Sequence, residues 1–230
     1  MLDEVATVGR FEGQRGPVGR FGASIAVVLL PLLTLAPNLL AQAPIIPPPP
    51  TIAASSYVLV DADTQKILVE QNVNESLPPA SLTKIMTSYV AAVEMEAGRL
   101  GADEMVPVSV NAWKTPGSRM FIRESSSVSV EDLLKGVIIQ SGNDASVALA
   151  EHIAGSEGAF ADMMNQQAVQ LGMTSSQFQN ATGLPAEGHQ TSAWDLVLLT
   201  RSLITRFPDT YVNYKVRSFT HNEIEQPNRN

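Results

Sequence analysis

Cysteine is absent from the 230 residues. That excludes disulfides, thiolate metal centres and cysteine nucleophiles together, and it leaves the compartment open. Histidine is scarce. His152, His189 and His221 stand far apart with no ligand spacing such as H-E-x-x-H, so neither a zinc site nor another cofactor is expected. Basic residues are outnumbered, 15 Lys plus Arg against 23 Asp plus Glu, for a net charge of −8. A surface of that sign does not hold a polyanion, so nucleic acid is not an expected partner. Aromatic residues make up only 6%, but a hydrophobic content of 44% still fills a sizeable core. The composition excludes wholesale disorder, and the length fits one large domain or two small ones.

The first segment has the pattern of an address. Arg10, Arg15 and Arg20 precede an apolar run from Phe21 to Leu40, and Ala41-Gln42-Ala43 closes it with small residues. Positive, apolar and small-residue regions in that order describe a secretory signal peptide over residues 1–43. Pro31 and Pro37 make an uninterrupted membrane-spanning helix the weaker reading. Residues 44–53 follow as a stiff proline-rich linker, and residues 54–230 are expected to form the folded domain of an exported protein.

Within that domain, Ser56–Val60 and Lys66–Glu70 read as a β-hairpin around a five-residue turn. Leu77-Pro78-Pro79 stops it. Apolar residues at steps of three and four then predict a helix from Ser81 to about Ala97, with Gly98 as its C-terminal glycine. Residues 101–129 read mainly as loop, with an extended piece at Met105–Val108. Helices are predicted over Val130–Gln140, Asp144–Ala154, Gly158–Leu171 and Ser192–Arg206, with Gln177–Leu184 extended or looped and Tyr214–Thr220 β-like. Strands segregated from a helical stretch predict an α+β fold. A two-stranded hairpin is marginal alone, and the chain is expected to supply at most one more strand.

Ser81-Leu82-Thr83-Lys84 carries the first chemical signal. Positions i and i+3 of a helix lie about 60° apart on one face, so Ser81 and Lys84 share a side. A serine needs a neighbouring base to become a nucleophile, and a lysine sunk beside apolar groups has a lowered proton affinity that suits it for that task. A helix start fixed by Pro78-Pro79 also offers free backbone N–H groups to a developing oxyanion. By itself the tetrapeptide reads better as a capping serine and a surface lysine one turn on. Ser141-Gly142-Asn143, between two predicted helices, carries the second signal. Its hydroxyl can relay a proton, and its amide can hold both a lysine and a substrate amide. Alone it is also ordinary turn chemistry.

Taken together, S-x-x-K opening a helix and S-x-N between helices some 60 positions later, in an exported chain, resemble the penicillin-recognising serine enzymes. The longer segments Pro79–Met86, Gly136–Ala145, Gly183–His189 and Thr191–Asp195 are similar to the D-alanyl-D-alanine carboxypeptidases of the penicillin-binding protein 5/6 type. The resemblance implies a serine β-lactamase/DD-peptidase-like α+β fold. It implies Ser81 as the acylated nucleophile, Lys84 as the general base, Ser141 as a further catalytic hydroxyl and Asn143 as a substrate-binding amide. The implied partners are the D-Ala-D-Ala end of a peptidoglycan stem peptide and β-lactams. The implied location is the periplasm, with membrane association through a C-terminal region that many members have.

One departure stands out. The family's third element, Lys-Thr-Gly on an edge strand after the S-x-N segment, is not found in these residues. Lys114-Thr115-Pro116-Gly117 precedes Ser141, and its proline removes a ladder donor, so it reads as loop. A C-terminally truncated domain of low activity is therefore expected, and an inactive or sensor-like peptidoglycan binder stays open beside the enzyme. A class A β-lactamase would need E-x-x-L-N, which Glu187-Gly-His-Gln does not match. His189 is read as positioning a loop, Asp195 as a first-turn helix charge, Met163, Met164 and Trp194 as core, and Glu94 and Glu96 as solvated surface.

Overall fold

A computed structural model describes residues 50–228. The leader over 1–43 and most of the linker over 44–53 lie outside them. Residues 50–53 are exposed and carry no regular structure. Among the described residues no helix is long and apolar enough to cross a membrane.

The hairpin forms as the β-rich runs require. Strand β1 (Tyr57–Val60) pairs antiparallel with β2 (Ile67–Gln71), Leu59 opposite Val69, with the register shifting at Val60. Asp61 closes the turn by accepting from the Thr64 N–H and hydroxyl. The first long helix starts later than the sequence predicts. Ala80–Leu82 form a single 3₁₀ turn, and regular α1 runs Thr83–Glu96, with Gly98 at φ +69° just beyond it. No side chain caps this helix, so its start is set by Pro79 and by packing.

Residues 101–129 hold more structure than expected: β3 (Met105–Pro107), α2 (Val110–Lys114) and β4 (Ser127–Ser129), with β3 and β4 antiparallel. Helices α3 (Val130–Gln140), α4 (Asn143–Ala154), α5 (Glu157–Leu171) and α6 (Ala193–Arg206) follow. Ser129, Ser156 and Ser192 each accept the N–H three residues on, which fixes the starts of α3, α5 and α6. The last part also differs from expectation. Tyr214 sits in a 3₁₀ turn (Val212–Lys215) after short α7 (Pro208–Tyr211), and the strands are β5 (Ser218–His221) and β6 (Ile224–Pro227). Two further hairpins thus replace the single extra strand expected. The fold is mixed helix and sheet, with three two-stranded sheets among the described residues.

Helix α4 is the axis of the core, every residue from Asn143 to Ala150 being buried. One apolar cluster gathers α3, α4 and the 100–130 region around Leu133, Leu149, Met120 and Ile122. A second joins α1, α5 and α6 around Met86, Tyr89, Phe160, Met164 and Leu199. Tyr89 meets Phe207 edge-on at 5.2 Å between centroids. Of the residues singled out as core, Met164 is fully buried and Met163 packs at the margin. Trp194 is half-buried, with its backbone N–H donating to Val73 O. Glu94 is not solvated surface: it is nearly buried and takes a two-pronged bond from Arg99, at 2.6 and 2.8 Å. Glu96 is exposed and pairs with Arg206.

Candidate active site

The backbone just before α1 is unusual. Ala80 sits at φ +48°, in the left-handed region, and this turn delivers Ser81 to the surface. Gly183, itself at φ +81°, backs onto that alanine so closely that a Cβ on it would lie 1.7 Å from Ala80 O. One turn on, Lys84 is only 4% exposed. Its Nζ donates to Asn143 Oδ1 and to Thr182 O, each at 2.7 Å. Burial pushes the ammonium down to about 8, partly offset by the negative charge of Asp144.

Ser141 closes α3 at φ +54°, another left-handed non-glycine residue, and Asn143 opens α4 two positions later. The Ser141 Oγ is buried and has no hydrogen-bond partner among the described residues. Ser81, Lys84 and Ser141 line one cleft of about 590 Å³, whose remaining wall includes Ile85, Val137, Ile138, Leu203, Tyr211 and Tyr214. Burial pushes the Tyr214 phenol up to about 12, and its oxygen lies 2.9 Å from Ser88 Oγ. Asn143 is not part of the lining. Its Oδ1 takes the Lys84 proton and its Nδ2 donates to Pro116 O at 2.6 Å. The lysine contact expected of it is present, and Pro116 O takes one of the two Nδ2 hydrogens.

Three features were not foreseen. Asp144, fully buried, accepts from the N–H groups of Met120, Phe121, Ile122 and Ala145 at 2.8–3.2 Å, with Arg119 Nε 3.9 Å away. It clamps the strap carrying Phe121, whose φ of +66° is strained. Nothing local separates this aspartate from a helix-capping one. The second feature is the loop 179–189, which lies along the first turns of α1. Thr87 donates to Ala181 O and Lys84 to Thr182 O, and Asn180 Oδ1 gathers the Thr182 N–H, its hydroxyl and the Gly183 N–H. The loop's second half, Gly183–His189, stands out in the sequence by resemblance, with His189 as loop-positioning, but the contacts of Asn180–Thr182 with α1 have only the Asn-x-Thr-Gly turn chemistry as a signal. Third, Asp195 does more than charge a helix start: its Oδ2 holds Ser175 N–H and Ser176 Oγ. Lys114 ends α2, and Thr115-Pro116-Gly117 leave it as irregular chain.

An S-x-x-K turn and an S-G-N turn meeting across a cleft, on mixed helices and short sheets, place the chain in the DD-peptidase/penicillin-binding fold class. Within it, the chain belongs to the D-alanyl-D-alanine carboxypeptidase family of peptidases, whose model matches residues 43–230. It is 46% identical over 187 residues to the D-alanyl-D-alanine carboxypeptidase DacC of Escherichia coli K12, covering 79% of this chain and 47% of that protein. The DacD structure from Francisella tularensis superposes with a TM-score of 0.76 at 42% identity, over 86% of this chain and 48% of that one. Penicillin binding protein 5 from Haemophilus influenzae gives 0.77 at 40% identity, over 79% and 54% respectively. The chain thus spans about half the length of the curated relatives it matches.

Proposed function

We propose that this chain carries the acylating centre of a serine D-Ala-D-Ala carboxypeptidase, with Ser81 as nucleophile, Lys84 as general base and Ser141 as proton relay. The observation that carries the reading is the bonding of Lys84. A neutral amine has two hydrogens, and Asn143 Oδ1 and Thr182 O take both. The lone pair is then left as the fourth tetrahedral position of a side chain that shares the cleft with both serines. With its proton affinity lowered to about 8, Lys84 is partly neutral near physiological pH.

Ser81 Oγ attacks the carbonyl carbon of the bond between the two D-Ala residues, and its proton passes to Lys84 Nζ. Collapse of the tetrahedral intermediate expels the terminal D-Ala amine, which takes a proton from Lys84 through the Ser141 hydroxyl. Water then cleaves the ester on Ser81 with the same lysine amine as base. A β-lactam, opened by the same attack, leaves its acyl group on Ser81. Asn143 supports the reading by orienting Lys84. Substrate and β-lactam both reach this chain by family, as does a periplasmic place of work, and the leader pattern of residues 1–43 supports export.

Mass spectrometry after incubation with benzylpenicillin tests this. One acyl adduct mapping to Ser81 is expected, with none on Ser81→Ala or Lys84→Met. An unmodified wild-type protein, or an adduct elsewhere, overturns the reading. Rapid turnover of a chromogenic cephalosporin would instead favour a β-lactamase.

A further inference from the structure

We propose that His189 is a positioning residue that fixes the turn between Ser81 and Lys84 by holding the hydroxyl of Thr83. The inference deepens the reading above and rests on Ser81 and Lys84 acting as assigned there. His189 does not line the cleft, so it can act only through a neighbour.

The hydrogen-bond directions are fixed by chemistry. His189 Nδ1 lies 3.0 Å from the Gln179 N–H and must accept from it. In the neutral ring the proton therefore sits on Nε2, which donates to Thr83 Oγ1 at 2.7 Å. Both partners are buried, Thr83 fully and His189 at 6% exposure, and Phe178 packs edge-on against the imidazole. Burial also holds the ring in its neutral form.

Thr83 stands where a displacement matters most. It lies two residues after Ser81 and directly before Lys84, and its Oγ1 is 2.9 Å from the place a Cβ on Gly183 would take. Thr83, Lys84 and Thr87 each bond to the loop 179–189, the last two through backbone carbonyls. His189 is the one side chain of that loop in this set, and it anchors its own end of the loop through Gln179. Removing the imidazole strands the fully buried Thr83 hydroxyl and frees the part-buried Gln179 N–H, so the turn must shift to re-satisfy the hydroxyl. A shift of about 1 Å at a nucleophile costs on the order of 100-fold in rate.

The test compares His189→Leu, His189→Gln and Thr83→Val. It reads the acylation rate with a fluorescent penicillin, the thermal midpoint, and the Lys84 titration followed by NMR of ¹³Cε-labelled lysine. A glutamine amide carries an acceptor and a donor side by side and can serve both Gln179 N–H and Thr83 Oγ1. His189→Gln is therefore expected to acylate at the wild-type rate. His189→Leu and Thr83→Val are expected to be about 10- to 100-fold slower, with the Lys84 midpoint moved upward from about 8. Should His189→Leu not fold, Thr83→Val, which changes only the hydroxyl, decides. A folded His189→Leu or Thr83→Val with unchanged rate and unchanged Lys84 midpoint overturns the inference, as does a His189→Gln as slow as His189→Leu. Absence of acylation in the wild type sinks the functional reading alone, since the Lys84 midpoint still judges the positioning.

Discussion

A lysine stripped of most of its water holds its proton weakly, and at Lys84 this has two consequences. In its proposed role as base Lys84 must be neutral, so the acylation rate should rise with pH through about 8 and level off above; a pH profile of penicillin acylation measures this directly. Stability moves in the same direction. Between pH 8 and 10.5 the unfolded chain keeps a proton at position 84 that the folded chain has released. Folding is therefore favoured as pH rises across that window, by about 3 kcal/mol in all. Tyr214 acts oppositely and later: between pH 10 and about 12 the unfolded chain loses a proton that the folded chain keeps, and stability falls. Denaturant titrations from pH 7.5 to 10 should show the rise in wild type and a flatter curve in Lys84→Met. Asp144 acts on the same group from a distance. Asp144→Asn removes a charge that favours the ammonium, so the Lys84 midpoint should drop below 8. It also turns amide hydrogens toward backbone N–H groups, at a cost of about 2–4 kcal/mol and with faster hydrogen exchange at Met120, Phe121 and Ile122.

Among the elements, the seam between α1 and the loop 179–189 is the sensitive one. Gly183→Ala would drive a Cβ into Ala80 O and is expected to cost upward of about 2 kcal/mol and to suppress acylation. Gly98→Ala is the matched control. It too has a positive φ, +69°, but nothing lies within 4 Å, so it should cost only about 1 kcal/mol of backbone strain and leave acylation intact. Elements with a cap and a full apolar period were legible in the sequence: α3 begins and ends where predicted, and α4, α5 and α6 begin within one residue of it. The short ones were not. Helix α2 has five residues and α7 four, too few for a helical period to register, and β4 and β6 depend on partners rather than on alternation. Ser81, Lys84 and Ser141 were legible as candidates because each sits in a short motif, S-x-x-K or S-x-N, and the two motifs join. Asp144 and Thr182 were not: one works through backbone 22–24 residues away, the other through a carbonyl 98 residues from Lys84, and any residue type carries a carbonyl.

For the molecule as a whole, the two apolar clusters share α1 and α4, with Ala91 in one and Ala92 in the other, and Ile153 packing against both. Damage to either should therefore be felt in both. Leu149→Ala in the first and Leu199→Ala in the second, each at fully buried positions, should each cost about 2–5 kcal/mol. In a Trp194→Phe background, Trp113 fluorescence reports the first cluster. It should lose its signal at the same midpoint as far-UV circular dichroism even for Leu199→Ala. Two separated transitions would show that the clusters fold independently.

The left-handed alanine at 80 presses its backbone carbonyl against Gly183 and so sets what codon 183 can hold. A saturation library selected for penicillin labelling should return glycine alone at 183, while position 80 should also accept glycine, which adopts that backbone without steric penalty. Every amino-acid change at 183 is then closed, whichever of alanine and glycine stands at 80, because the clash is with the backbone carbonyl there.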